Sequence, residues 1–390
     1  MICKLMMRNS PSITIFLPIL LGLGIIGTFI FSKNNGMFDQ IATILADPHF
    51  NLTPDTASPV RRVFFHCAWL DDYFATVLMA FWQVLNGNNA AASLQAFHFF
   101  GQMAAHWAIV ELEASRPRYR GLLLTHTTIA AFIYNAASAA VSMPLYKMLW
   151  LVTLPQIGKA TSQSLNELSP SVADIYAVPY SLALGYIVPT ILQALPSPKV
   201  VSSDMQQKLM AFWQFFPLWV FIIRCGLKKI FRSLPPSRRP TYYHLSNVYL
   251  VALLWAVTSH TVTLTLSFGA LIFPQLFSSA VRRSLMPAHI FMLRLSPPGT
   301  VLEGEDGGLS EAVLRFWQWD EFASQTAVLV WAASIFWRDT QGVGKPFSRI
   351  NLTVRAVGWT LVGGQTAAAV DLLWARDEAV FGDQKVTAVH

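Results

Sequence analysis

The chain has 390 residues, 54% hydrophobic and 13% aromatic, with a formal net charge of +7 and only 13% charged residues. That charged fraction is about half the globular average, which excludes an ordinary soluble domain and predicts an all-α polytopic transmembrane bundle. The positive charge lies in short loops and not on a folded basic surface, so nucleic-acid binding is excluded too.

A membrane span needs about 20 predominantly apolar residues, and nine segments qualify: 11–32, 63–86, 93–113, 122–152, 173–195, 209–231, 245–270, 313–337 and 353–374. They predict eight to nine spans in a single membrane domain over 1–390, with 11–32 as an N-terminal anchor span and 63–374 as a helical bundle around an active-site cavity. The first segment follows Lys4 and Arg8 without a small-residue cleavage site, which favours a retained anchor over a signal peptide. Pro144, Pro179, Pro189 and Pro217 interrupt later segments, as membrane helices tolerate when neighbours satisfy the freed carbonyls.

The densest basic loop, "KKIFRSLPPSRRP" at 228–240, belongs on the cytosolic side. Counting outward puts the N-terminus, Lys345, Arg349 and Arg355 near the cytosol, and leaves the sequon Asn51-Leu52-Thr53 outside, open to glycosylation in the endoplasmic reticulum. The same count puts "RPRYR" at 116–120 on the lumenal side. Either the long fourth segment is miscounted or these arginines serve something other than topology. Cys3, Cys67 and Cys225 have no metal-ligand spacing and make no disulfide framework.

Polar residues recur inside the apolar segments. On a helical projection of 93–113, Gln95, His98, Gln102, His106, Glu113 and Arg116 fall within about 80° of one another, with Glu111 about 160° from Glu113. Glu113 and Arg116 at i and i+3 could also simply neutralise each other at a helix end. In 63–86, Asp72 shares a face with Thr76, Gln83 and Asn86, while Asp71 points about 100° away. In 313–337, Asp320, Ser324 and Trp331 share a face with Trp317 nearby, and Glu321 is expected to turn toward the headgroups. Ionisable groups at membrane depth are functional candidates by default, although most of the 13 tryptophans fit an interfacial belt.

Inward-facing acids, an aromatic lining and the lack of nucleotide, phosphate or metal motifs suit an apolar substrate. A desolvated carboxylic acid can protonate an alkene or epoxide, and aromatic faces stabilise the resulting cation without trapping it. No metal and no cofactor is expected. A proton-coupled exporter of a hydrophobic metabolite would also place acids in the membrane, but such proteins usually show repeated halves, and none is visible. A non-catalytic scaffold is the third alternative.

Three segments, "LQAFHFFGQMAAHWAIVELEASRPRYRG" at 94–121, "VSMPLYKMLW" at 141–150 and "RFWQWDEF" at 315–322, resemble the fungal integral-membrane terpene cyclases of meroterpenoid pathways, of the ascofuranone and macrophorin cyclase type. The resemblance implies a metal-independent cyclase in which an acid protonates the terminal epoxide or olefin of a farnesyl chain on an aromatic polyketide. A prenyltransferase and an epoxidase would act upstream. The matched positions are Glu113, Arg116, Gln318 and Asp320, and "RPRYRG" is a variant of the family's arginine-containing loop. Asp320 or Glu113 is expected as the general acid. Arg116 beside Glu113 favours its carboxylate, which ranks Asp320 first. Asp72 is expected to tune or deprotonate, Arg116, His106 and Gln318 to orient the substrate, and Trp317 and Trp331 to shield the cation.

Overall fold

In the computed structural model, which describes residues 12–52, 58–154, 166–235, 239–293, 308–340 and 348–381, the apolar segments form helices and no strand ladder appears among the described residues. Lys4, Arg8, Cys3, Thr53 and Lys345 lie outside them. The helices used below are α1 (Leu17–Asn34), α2 (Met37–Ala46), α3 (Ala68–Leu85), α4 (Ala90–Ala114), α5 (Thr127–Ala137), α6 (Ala139–Thr153), α7 (172–193), α8 (Ser203–Trp213), α9 (Phe216–Ser233), α10 (Thr241–Ile272), α11 (Gly308–Thr340) and α12 (Arg349–Phe381). Local chemistry sets several starts. Asn89 caps α4 by accepting the Ala92 N–H at 3.0 Å, and Ser171 and Ser202 cap α7 and α8 in the same way.

Polarity is distributed inside out. Leu254, Ile191 and Leu361 are 64, 58 and 68% exposed, while Arg116, Lys147, Arg376 and Asp377 are buried. An outer surface of large apolar side chains around buried charge suits lipid contact, not water. Three stretches, Leu17–Asn34, Asn166–Gln193 and Thr241–Ile272, are long and apolar enough to cross a membrane, and the α8–α9 pair, bent by 63°, would make a fourth. The α4 and α11 helices have 25 and 33 residues, about 37 and 50 Å of rise, and both carry polar side chains inward. With α6, α10 and α12 they form the centre, and α1 packs on α6 and α11.

Three expected spans are not single helices, 209–231 being divided by the α8–α9 bend. Segment 122–152 breaks at Ser138, whose φ is 67°, into α5 and α6. Segment 353–374 breaks at Gly364, whose φ of 85° and ψ of 173° are non-helical. Residues 16 apart in one straight helix would be about 24 Å apart, yet the Arg355 guanidinium meets the Asp371 carboxylate at 2.7 Å. The α12 chain therefore folds back as a hairpin, with a largely exposed limb (350–362) and a largely buried limb (365–381). The hairpin's tip sits halfway along its neighbours. Gln102 of α4 donates to the Gly363 carbonyl and the Ala256 carbonyl, both at 3.0 Å, and Gln365 donates to Thr326 at 3.1 Å.

Only glycine adopts the Gly364 backbone without strain, and a Cβ there would come within 2.7 Å of the Gln102 side chain. Gly364→Ala should cost about 1–3 kcal/mol of strain and lower the melting temperature in detergent by several degrees. Gly22→Ala, with nothing within 4 Å, should leave it unchanged. Scanning fluorimetry of the two variants checks this.

Candidate active site

The stripe on α4 is buried along nearly its whole length, but it serves three different networks. At its C-terminal end, Glu113 and Arg116 join a fully buried charge cluster. Arg116 Nε donates to Glu113 Oε1 at 2.8 Å, its Nη1 to the Leu168 carbonyl at 2.5 Å, and its Nη2 to Asp377 Oδ2 at 2.7 Å. Tyr249 of α10 donates to the same Asp377 oxygen at 2.7 Å. Arg376 pairs with Glu113, with Asp339 at 3.1 Å and with Asp377 at 2.7 Å, and Arg118 pairs with Asp339 at 2.9 Å. Three arginines and three carboxylates cancel. Arg116 and Arg118 are thus interior groups paired with carboxylates, whereas Arg120 is exposed. Arg116, expected to orient a substrate, spends its donors on protein partners.

At the opposite end of the stripe, Gln95 and His98 both reach Glu321 of α11, at 2.5 and 2.6 Å. His98 continues to His260 at 2.9 Å, which reaches the Leu361 carbonyl on the hairpin at 3.2 Å. Glu321 is therefore buried among polar partners and does not face the headgroups. Its neighbour Asp320 is also buried, and its Oδ1 accepts Ser138 Oγ at 2.5 Å and the Ala140 N–H at 2.7 Å. Asp320 thereby fastens α11 to the break between α5 and α6.

These two acids differ from the other buried ones. Glu111, Glu113, Glu311, Asp339, Asp371 and Asp377 each meet an arginine. Asp71 is saturated by the backbone N–H groups of Phe64, Phe65 and Cys67 at 2.8, 2.8 and 3.0 Å. Asp320 and Glu321 have no arginine or lysine partner among the described residues. They adjoin an aromatic cluster: Trp317, one turn before Asp320, packs edge-on against Phe81, Phe99 and Phe100 with centroids 5.3 to 5.6 Å away. Trp213, Phe216 and Tyr186 extend it, and Tyr134 is within electrostatic range of both carboxyls.

Asp72, Gln318 and Trp331 depart from expectation. Asp72 is exposed, because Asp71 is the residue of that pair turned inward to tie down the loop before α3. Gln318 bridges Arg315 and the carbonyls of His289 and Ile290, so its amide is committed to the short helix Pro287–Phe291. Trp331 is buried against Trp150, not beside Asp320. His106 is buried, and neither of its ring nitrogens has a protein partner. Asn51 is exposed and pairs its backbone with Pro59. A cavity of about 540 Å³ is lined by Pro48, Val60, Arg61, Pro198 and Asp204, and none of the acids above lines it. Hydrogen bonds from Lys208 and Arg61 hold the Asp204 carboxyl there below the usual carboxylate range. The sequence reading missed Asp339, Arg376 and Asp377, which sit near helix ends where charges read as interfacial, and Lys147, one charge in an apolar run.

The CtvD-domain profile matches residues 13–381. The chain is similar to terpene cyclase ascI of Acremonium egyptiacum, 29% identical over 322 residues that cover 80% of this chain and 78% of the relative. It is similar to terpene cyclase ctvD of Aspergillus terreus at 26% over 366 residues, 93% and 98% of the two chains. Terpene cyclase atmA of Aspergillus flavus is 24% identical over 347 residues, 87% and 90% of the two chains. No solved structure matches the chain.

Removing one member of a buried ion cluster leaves its partners uncompensated, at about 3–5 kcal/mol. Arg376→Met should therefore abolish the monodisperse peak in fluorescence-detected size-exclusion chromatography. Adding Glu113→Gln should restore part of it, and a double variant no better than the single would contradict coupling within the cluster.

Proposed function

The chain belongs to the CtvD-domain family, and from that premise we propose that it is a membrane-embedded terpene cyclase acting on a farnesylated aromatic polyketide of fungal meroterpenoid metabolism. The relatives' names support cyclisation. The proposed chemistry is protonation of a terminal epoxide or olefin by Asp320. One observation carries the choice: Asp320 is a buried acid without a cationic partner, next to the aromatic cluster around Trp317. Ser138 and the backbone N–H groups of Ala139 and Ala140 donate to its carboxyl and hold it in place.

In this scheme the Asp320 proton opens the epoxide C–O bond or adds to the terminal alkene, and the resulting cation is attacked by the next double bond. Loss of a proton at the end gives a product isomeric with the substrate. The faces of Trp317 and its phenylalanine neighbours stabilise the cation and exclude water. Glu321, held by His98, takes the tuning role expected of Asp72. Glu113 and Arg116 act as a structural lock, and no cofactor enters the scheme.

The single membrane domain is read as lying in the endoplasmic reticulum, with 11–32 as anchor and Asn51 available for glycosylation. Because α12 turns back, 353–374 drops out of the nine expected spans and at most eight crossings remain. A prenyltransferase and an epoxidase supply the substrate. The exporter alternative gains from the hairpin, since broken helices meeting at mid-depth are a transporter device; the relatives' names weigh against it.

General-acid catalysis contributes about 10²–10⁴-fold. Microsomes carrying Asp320→Asn should therefore lose at least two orders of magnitude in conversion of a farnesylated phenolic acid or its terminal epoxide to an isomer, measured by chromatography with mass detection. Asp72→Asn should behave as the parent. Near-normal turnover by Asp320→Asn would exclude it as donor, and movement of unchanged substrate into sealed vesicles would favour export.

A further inference from the structure

The middle of α6 buries a lysine in the layer between the charge cluster and the hairpin tip. Lys147 is fully buried, and its Nζ has no protein acceptor within hydrogen-bond reach. The ammonium lies over the Trp331 ring at 3.9 Å, with Tyr146 and Trp150 at 5.0 and 5.7 Å. Cation–π attraction alone recovers only part of what an ammonium loses on leaving water. The acid within electrostatic range, Glu113, is already engaged by Arg116 and Arg376.

Its neighbours are in the same condition. His106 of α4, within electrostatic range of Lys147, has neither ring nitrogen bonded by the protein. The indole N–H groups of Trp150 and Trp331 also find no protein acceptor. Folded interiors leave few buried polar groups unpaired, and here four from α4, α6 and α11 share one layer. Three of them are donors outright, so the chemistry they fit is an acceptor oxygen, best an anionic one, on a group flat enough to stack on indole.

We propose that Lys147, flanked by His106, Trp150 and Trp331, binds the phenolate or carboxylate of the substrate's aromatic head. The inference rests on the cyclase reading and deepens it. Trp331 follows Asp320 by 11 residues on α11, three turns along the same face and about 16 Å. An extended farnesyl chain of twelve main-chain carbons has eleven zigzag bonds of about 1.5 Å and spans about 14 Å, and the aryl ring and the two side chains add the remaining reach. A head held at Lys147 thus lets the far end of the chain reach Asp320. Lys147 takes over the orienting role expected of Arg116.

The test uses the purified full chain in nanodiscs, carrying Asp320→Asn so that binding is read without turnover. The probes are a farnesylated hydroxybenzoic acid and its methyl ester methyl ether, titrated by quenching of tryptophan fluorescence. The acid should bind at least tenfold more tightly than the ester. Lys147→Met should erase that preference with the ester's affinity unchanged, and Lys147→Arg should keep it. Lys147→Met should also melt no lower than its parent, since it removes an uncompensated charge and keeps the stem. A preference that survives Lys147→Met, or equal affinity of both probes for the parent, overturns the head site. A preference lost in Lys147→Met together with no cyclised product from the Asp320-bearing chain would leave the head site standing and remove the cyclase reading.

Discussion

Charge buried in this bundle has to be matched inside it, because the surface around it is oil. The match is made at one place above all, where Arg116, Arg118 and Arg376 meet Glu113, Asp339 and Asp377. Those residues come from the end of α4 and its following turn, the end of α11 and the buried limb of α12, with Tyr249 of α10 hydrogen-bonded in. None of the six can be desolvated without the others, so the cluster fixes where four helices end relative to one another.

That fixed end sets the geometry further in. With Asp377 anchored, the buried limb of α12 runs back to Gly364, where Gln102 and Gln325 receive the tip halfway along α4 and α11. One step beyond, α11 presents Asp320 to the break at Ser138 and Glu321 to His98. The arginines are used up by then. The two buried acids left without an arginine or lysine stand near the aromatic cluster around Trp317, and on the proposed reading they would supply a proton beside cation-tolerant walls.

Periodicity made the helical class legible, along with the inward face of α4 and the inward placing of Asp320, since a 100° step depends only on local geometry. It failed at Asp71 and Asp72, where loop N–H groups before the helix decided which carboxylate turned in. The breaks at Ser138 and Gly364 were hidden because apolar runs continue through them. Glu113 and Arg116 were found as a pair, but their partners Arg376 and Asp377 lie some 260 residues away, and no spacing rule reaches that far. Lys147 was passed over because a single charge in an apolar segment reads as a snorkelling side chain; only its burial against Trp331 shows otherwise.

The central claim is that Asp320 holds the proton that starts the reaction, and it can be read without any substrate. Infrared difference spectroscopy of the protein in lipid at neutral pH, comparing the parent with Asp320→Asn and Glu321→Gln, isolates each carboxyl stretch. The account predicts a protonated carboxylic-acid band that vanishes in Asp320→Asn and survives in Glu321→Gln. A carboxylate band lost in Asp320→Asn, with no acid band in the parent, would contradict it.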